Sequence, residues 1–217
     1  MTSRASISKP PALPSPVDPP LRIVAAARRS FLAHGFSRFT MDDLAEQLGM
    51  SKKTLYAHFP TKDALVAAVI EDKVTGFKRG VQAIVETPGL EFTGRAHRLI
   101  AHVVTQMGEI SPVFFRDLER HLPELYARIE AVRREILLQV WGRMLADGAA
   151  RGHVRRELEA PFVAEMVALA VEGLLRPAAL ARLNLAPRDV VTRVLSTIFT
   201  GILTPAGRRA YEHFTVF

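Results

Sequence analysis

A run of basic and hydroxyl-bearing side chains follows Ser51, and these residue types are suited to binding a polyanion. Leu55 and Phe59, four residues apart, predict a short helix with one buried face that ends before Pro60. The rest of its surface carries Lys52, Lys53, Thr54, Tyr56 and His58. Lysine donates to phosphate and to guanine O6 and N7, so the chemistry indicated is non-covalent binding of nucleic acid.

The segment before this helix supplies the element that positions it. Thr40 and Asp43 form the pattern of a capping box, and Gly49 is placed to end the helix that they begin. Ser51 is the N-cap of the second helix. A helix, a glycine-containing turn and a short second helix follow one another in the order of a helix-turn-helix motif. In such a motif the residues Lys52 to Thr54 would lie nearest the bases.

Many positions in one register resemble the DNA-binding domain of the TetR family of bacterial transcriptional repressors. The matching residues are Thr40, Asp43, Leu44, Ala45, Gly49, Ser51, Thr54, Leu55, Tyr56, His58, Phe59, Lys62, Asp63 and Leu65. The resemblance extends back through Ile23, Ala26, Ala27, Phe31 and Gly35. Lys53 departs from it, because many members have glycine or another small residue at that position.

The resemblance implies separate roles for the residues of this motif. Lys52, Lys53 and Thr54 would approach base edges, and phosphates would be held by Tyr56, His58, Lys62 and the Thr40 end of the first helix, with Ser51 capping the second. The alternative is a solvated basic helix face that binds nothing.

Composition limits the other classes of function. The 217 residues carry a formal charge of +7 and include no cysteine, so neither a disulfide nor a thiolate zinc site is possible. No apolar run reaches the ~18 residues of a membrane span, and the N-terminus lacks a signal-peptide core. His97 and His102 are five residues apart, which places them on diverging faces of a helix, so a metal site with two histidine ligands is not expected. No nucleotide-binding or hydrolase motif occurs. We therefore expect a cytoplasmic protein without catalytic residues, metal or cofactor.

Helical periodicity runs through the chain, which predicts an all-α fold with an N-terminal three-helix helix-turn-helix domain and a C-terminal helical bundle. Four segments are expected: a flexible Pro-rich leader (1–20), the helix-turn-helix domain (21–66), a ligand-binding and dimerisation domain (67–204) and a loose C-terminal tail (205–217). The leader contains Arg4 and Lys9, which either touch DNA phosphates nonspecifically or have no role.

Two C-terminal helices have the composition of an association surface. The helix near 161–175 is apolar on nearly every face, and the helix near 188–203 has a broad apolar stripe. In the TetR-like architecture such helices pair with their copies as a four-helix bundle, so we expect a homodimer. The alternative is that both only fill the core of one subunit.

A ligand pocket is expected between the helices of the C-terminal bundle. Its candidate lining residues are His102, Met107, Phe115, Trp141, Met144, Met166 and Glu172, for each of which plain core packing is the alternative. The resemblance implies a one-component repressor that binds a pseudo-palindromic double-stranded DNA operator and is released by a small hydrophobic effector. Activation is the alternative mode. A different function, a basic helical module binding membrane or protein without reading DNA sequence, would leave the motif unused.

Overall fold

The computed structural model describes residues 18–212, and within them the fold is all-α, as predicted. The helices in chain order are α1 (Pro19–His34), α2 (Met41–Leu48), α3 (Lys52–His58), α4 (Lys62–Val85), α5 (Phe92–Gly108), α6 (Pro112–His121), α7 (Pro123–Ala150), α8 (Ala160–Leu174), α9 (Pro177–Leu183), α10 (Pro187–Ile202) and α11 (Pro205–Glu212). No strand is assigned in this part of the chain, where one isolated bridge pairs Val154 with Leu203.

Helices α1 to α3 form the predicted helix-turn-helix domain, and local capping fixes their ends. The Thr40 side chain accepts a hydrogen bond from the Asp43 backbone N–H, and the Asp43 carboxylate accepts one from the Thr40 backbone N–H. Gly49 closes α2 in the left-handed conformation, with φ 62° and ψ 33°. The domain core consists of fully buried side chains, with Ile23, Phe31 and Leu55 each at most 2% exposed.

Helix α4 connects this domain to the rest of the molecule. Thr61 caps its start, and the helix continues past Gly80 to Val85. Gly80 does not end it, because this glycine is where α5 approaches closely: a Cβ there would lie 2.4 Å from the His102 ring. Val81 is buried one residue later, so burial of an apolar face carries the helix onward.

The C-terminal domain is a bundle in which α7 packs on α8, and α10 packs on α5 and α8. The two helices predicted near 161–175 and 188–203 are α8 and α10, each displaced by one residue from its predicted bounds. Helix α7 has 28 residues, and Pro123 stands in its first turn. Most of the large buried side chains of this domain, such as Leu145, Leu175 and Leu195, lie between these helices.

The predictions for the two ends of the chain need correction where the structure describes them. Pro19 and Pro20 form the first turn of α1 instead of belonging to the leader, whose residues 1–17 lie outside the described range. The expected loose tail begins with α11. Thr204 caps it by accepting a hydrogen bond from the Gly207 backbone at 3.0 Å, and Tyr211 packs on Phe199 at 4.7 Å between ring centroids.

Candidate nucleic-acid interface and effector cavity

Helix α3 packs against the domain core through one face and exposes the opposite face to solvent. Its anchor is Leu55, which is fully buried, and the Ser51 hydroxyl caps it by accepting a hydrogen bond from the Thr54 backbone at 3.1 Å. All five candidate contact residues of the helix are exposed, namely Lys52, Lys53, Thr54, Tyr56 and His58. Such an arrangement presents cations and hydroxyl groups to an external anion without disturbing the core.

Several of the predicted contact residues also have partners inside the domain. The Lys52 ammonium pairs with the Asp42 carboxylate on α2, and this hydrogen bond raises the pKa of Lys52. The Thr54 and Ser51 hydroxyl groups are 2.8 Å apart. Hydrogen bonds from the backbone and side chain of Thr40 lower the pKa of Asp43. Thr40 and Ser51 therefore position the two helices in addition to any contact with DNA.

Lys62, which the resemblance implies is a phosphate contact, has hydrogen-bond partners inside the domain. Its ammonium donates to the backbone carbonyl oxygens of Phe36, Ser37 and Phe39, at 3.2, 3.4 and 3.1 Å. It also lies 6.0 Å from the centroid of the Phe36 ring. Lys62 thus links the start of α4 to the turn between α1 and α2, and its contact with a DNA phosphate stays a prediction.

The same turn is held from the other side by α6, a contact that no local sequence pattern predicts. The buried Asp117 carboxylate accepts hydrogen bonds from the backbone of Phe36 and Ser37, both at 2.8 Å. Gly35 adopts φ 79° beside it, and a Cβ there would lie 2.5 Å from the carboxylate oxygen. Ser111, the N-cap of α6, donates its backbone N–H to the Leu32 carbonyl at 2.8 Å.

A charged network joins α1, α4 and the end of α5. Arg28 on α1 pairs with Asp72 and with Glu109, both at 2.9 Å, and Lys73 on α4 pairs with the same Glu109 at 2.8 Å. Lys73 also donates to Gln106 at 2.8 Å. Burial lowers the pKa of Lys73. Burial alone would raise the pKa of Glu109, but hydrogen bonds from Lys73 and Arg28 hold it below its ordinary value.

An apolar cavity of about 120 Å³ lies next to this network. Eighteen of its twenty lining residues are apolar, and the other two, Lys73 and Arg133, are basic. Its wall includes Leu32 of the helix-turn-helix domain as well as residues of α4 to α8 and α10. Of the predicted pocket residues, Met107 and Phe115 line it. A molecule in this cavity would touch both domains.

The other predicted pocket residues lie elsewhere. Trp141 and Met144 line a smaller adjoining cavity of about 30 Å³. His102 packs against Phe77, with ring centroids 5.2 Å apart, and lines none of the cavities described.

Met166 and Glu172 require correction as pocket residues. Met166 is 40% exposed on the outer side of α8, because Val163 and Val167 take the inner side. Glu172 pairs with Arg134 on α7 at 3.2 Å. The assignment of Met166 and Glu172 failed because residue type does not tell which face of a helix turns inward.

Residues 18–212 contain neither a membrane-spanning helix nor a metal-binding cluster. None of the helices there is both long and apolar enough to cross a membrane. No group of three or more histidine or acidic side chains is arranged to hold a metal ion in that range.

Comparison with known sequences identifies the N-terminal region. Residues 23–69 match the sequence model described as bacterial regulatory proteins, tetR family. The HTH-type transcriptional regulator YvaF of Bacillus subtilis is 32% identical over 114 residues, a match that covers 52% of this chain and 60% of YvaF. The HTH-type transcriptional regulator TtgR of Pseudomonas putida is 24% identical over 164 residues, or 71% of this chain and 77% of TtgR.

Comparison with solved structures extends the likeness to the whole fold. A TetR-family transcriptional regulator from Marinobacter aquaeolei superimposes with a TM-score of 0.68, covering 92% of this chain and all of the other, at 20% identity. The helix-turn-helix geometry and the match over residues 23–69 show that the N-terminal region is a DNA-binding domain of the TetR type, and the all-α fold of the chain is the one found in TetR-family regulators.

Proposed function

We propose that the protein is a one-component transcriptional repressor that binds a pseudo-palindromic DNA operator as a dimer. The observation that carries this proposal is the exposed face of α3, where Lys52, Lys53 and Thr54 stand at the N-terminal end of a capped helix. That end of a recognition helix meets base edges in the major groove. The formal charge of +7 favours association with a polyanion, and such a regulator would act in the cytoplasm.

Dimerisation is supported by the outer side of α8. Phe162, Met166 and Leu169 are 69%, 40% and 55% exposed, and their spacing of four and three residues places them on one stripe. Contiguous exposed apolar surface of this kind marks protein association sites. A second copy of the chain is the natural partner, because a helix-turn-helix reader needs two half-sites about 34–36 Å apart.

Effector control is supported by the position of the apolar cavity. Leu32 on α1 and Ile70 on α4 both belong to its wall, so a hydrophobic ligand would act on the joint between the two domains. A ligand shifts an equilibrium only by its differential affinity for the two states. A ~100-fold preference for the DNA-incompetent state corresponds to about 2.7 kcal/mol of coupling.

Selection of random duplex DNA on the purified protein tests the proposal. The expected result is an inverted repeat, bound tightly and with a steep loss of affinity as salt rises. A reporter gene behind that site would then be silenced by the protein. Recovery of no motif, with only weak nonspecific binding, would instead favour a basic helical module that binds membrane or protein.

A further inference from the structure

We propose that the cavity ligand is an apolar carboxylic acid whose carboxylate pairs with Arg133. This inference rests on the proposed function, since it names the chemical class of its effector. It starts from the charge of the cavity wall, where Lys73 and Arg133 are the ionisable residues and no acidic side chain takes part. A hydrocarbon body fits the remaining eighteen apolar residues, and an anionic head group is the complement of the two cations.

The two cations differ in what they already bind. The Lys73 ammonium has three donors and makes two hydrogen bonds, to Gln106 and Glu109. The Arg133 guanidinium has five N–H donors and makes a single hydrogen bond, to Glu130 at 3.2 Å, within residues 18–212. Its side chain is only 16% exposed. Arg133 is therefore the cation with more unused donors, in a place where water supplies little compensation.

The surroundings of Arg133 point in the same direction. Burial lowers the pKa of Arg133, which means that burial disfavours its charge more than the neighbouring Glu130 and Glu172 favour it. Tyr126 lies two turns before it on α7, with its hydroxyl close to the same Glu130 carboxylate. Burial, with the Glu130 charge adding to it, raises the pKa of Tyr126 to about 12, so the hydroxyl stays protonated. A ligand carboxylate beside Arg133 would accept hydrogen bonds from the guanidinium donors that Glu130 leaves unused.

Guanidinium and carboxylate match each other in geometry as well as in charge. Two parallel N–H donors of arginine bind the two oxygens of one carboxylate. An alcohol of the same length would bury the same hydrocarbon but make one uncharged hydrogen bond. An amine would place a second cation beside Arg133 and be rejected.

Calorimetry of the full chain with octanoate, octanol and octylamine tests the proposal, and a series from hexanoate to dodecanoate finds the best chain length. We expect octanoate to bind roughly 10-fold more tightly than octanol or better, and octylamine not to bind. Arg133→Gln should remove the preference for octanoate over octanol while octanol still binds. Arg128→Gln on the same helix is the matched control, because Arg128 is 74% exposed and should leave the preference unchanged.

Glu130→Gln gives an independent readout in the opposite direction. It removes the carboxylate that competes for Arg133, so octanoate should bind more tightly and raise the melting temperature more than in the wild type. A merely structural role of the pair would not predict this gain. This variant also keeps the test decisive if Arg133→Gln does not fold.

Three results would overturn the proposal: equal affinity for octanoate and octanol, no binding of any carboxylate in the series, or a preference that survives Arg133→Gln. None of these measurements involves DNA. If octanoate binds through Arg133 but does not release the selected duplex, the ligand site stands and its role as an effector site fails. If no duplex is selected, the calorimetric result is unaffected.

Discussion

Lys53 and Lys62 show how differently two lysines of one small domain are used. Lys53 is exposed on α3 and has no hydrogen bond or ion pair within the described part of the chain. Lys62 donates to three backbone carbonyl oxygens of the turn between α1 and α2. The Lys53 ammonium is therefore available to bind DNA, whereas the Lys62 ammonium stabilises the fold of the domain.

Lys62→Ala should therefore lower the stability of the folded protein. Loss of a charged donor to three carbonyl groups, on a partly exposed side chain, should cost roughly 1–2 kcal/mol and lower the melting temperature measured by circular dichroism. Lys53→Ala is the control, and it should leave the melting temperature unchanged while altering the base preference recovered by duplex selection. An unchanged melting temperature in Lys62→Ala would contradict the structural role assigned here.

The caps of this domain could be predicted from the sequence, whereas its long-range ties could not. Thr40 and Ser51 bind backbone groups three residues away, so their types and positions carry the whole signal. Asp117 binds the backbone of Phe36, which is 81 residues earlier in the chain. The sequence around Asp117 does not indicate that partner, because the hydrogen bond depends on how α6 packs against α1.

At the scale of helices, Glu109 is the point where three elements meet. It ends α5 and receives hydrogen bonds from Arg28 of α1 and from Lys73 of α4. Lys73 also lines the cavity, so the network connects the cavity wall to the helix-turn-helix domain by direct contacts. Loss of the Glu109 charge would leave the buried Lys73 ammonium with only neutral hydrogen-bond partners.

Glu109→Gln should destabilise the protein at neutral pH by about 1 kcal/mol, a value reduced by the exposure of Glu109. The pKa of Glu109 is lowered in the folded state, so its contribution is present above the unfolded value of 4.5 and is lost as the pH falls through the folded value. Urea unfolding of the two proteins across this range should show them converging at acid pH.

Glu71→Gln on α4 is the matched control for this series. Its pair with Arg128 is 3.9 Å long and exposed on both sides, so its loss should not change the free energy of unfolding measurably. A Glu109→Gln variant that was as stable as Glu71→Gln at neutral pH would contradict the role of the network.

Helix boundaries were predictable where a proline or a cap marks them and less so elsewhere. Pro112 and Pro123 begin α6 and α7, at a position where proline is favoured. The end of α4 has no such marker, because Gly80, which serves close packing against His102, has the same appearance in sequence as a glycine that ends a helix. The sequence could not show which face of α8 is buried and which is exposed, since both faces are apolar.

At the scale of the whole molecule, the account depends on association of two copies through α8. The exposed stripe of Phe162, Met166 and Leu169 lies on the side of α8 opposite its buried valines. Covering such a stripe removes apolar area from water, which favours a dimer. Two copies of α3 would then be presented together.

Leu169→Glu should convert the protein to a monomer, because it places a charge in the middle of the apolar contact. Sedimentation velocity measures the change, and circular dichroism should still show a folded helical protein since Leu169 is 55% exposed. Leu183→Glu on α9 is the control: this leucine is also exposed, at 42%, but lies off the stripe, so the variant should remain dimeric. A dimeric Leu169→Glu protein would place the interface elsewhere.

The most direct test of a dimeric reader is to change the spacing of the selected operator. Inserting about half a helical turn, ~5 base pairs, between the half-sites moves them to opposite faces of the duplex while leaving each half-site intact. The account predicts that affinity falls to the level of nonspecific DNA, measured by fluorescence anisotropy at fixed salt. Unchanged affinity for the respaced operator would contradict it, because each recognition helix would then be reading its site alone.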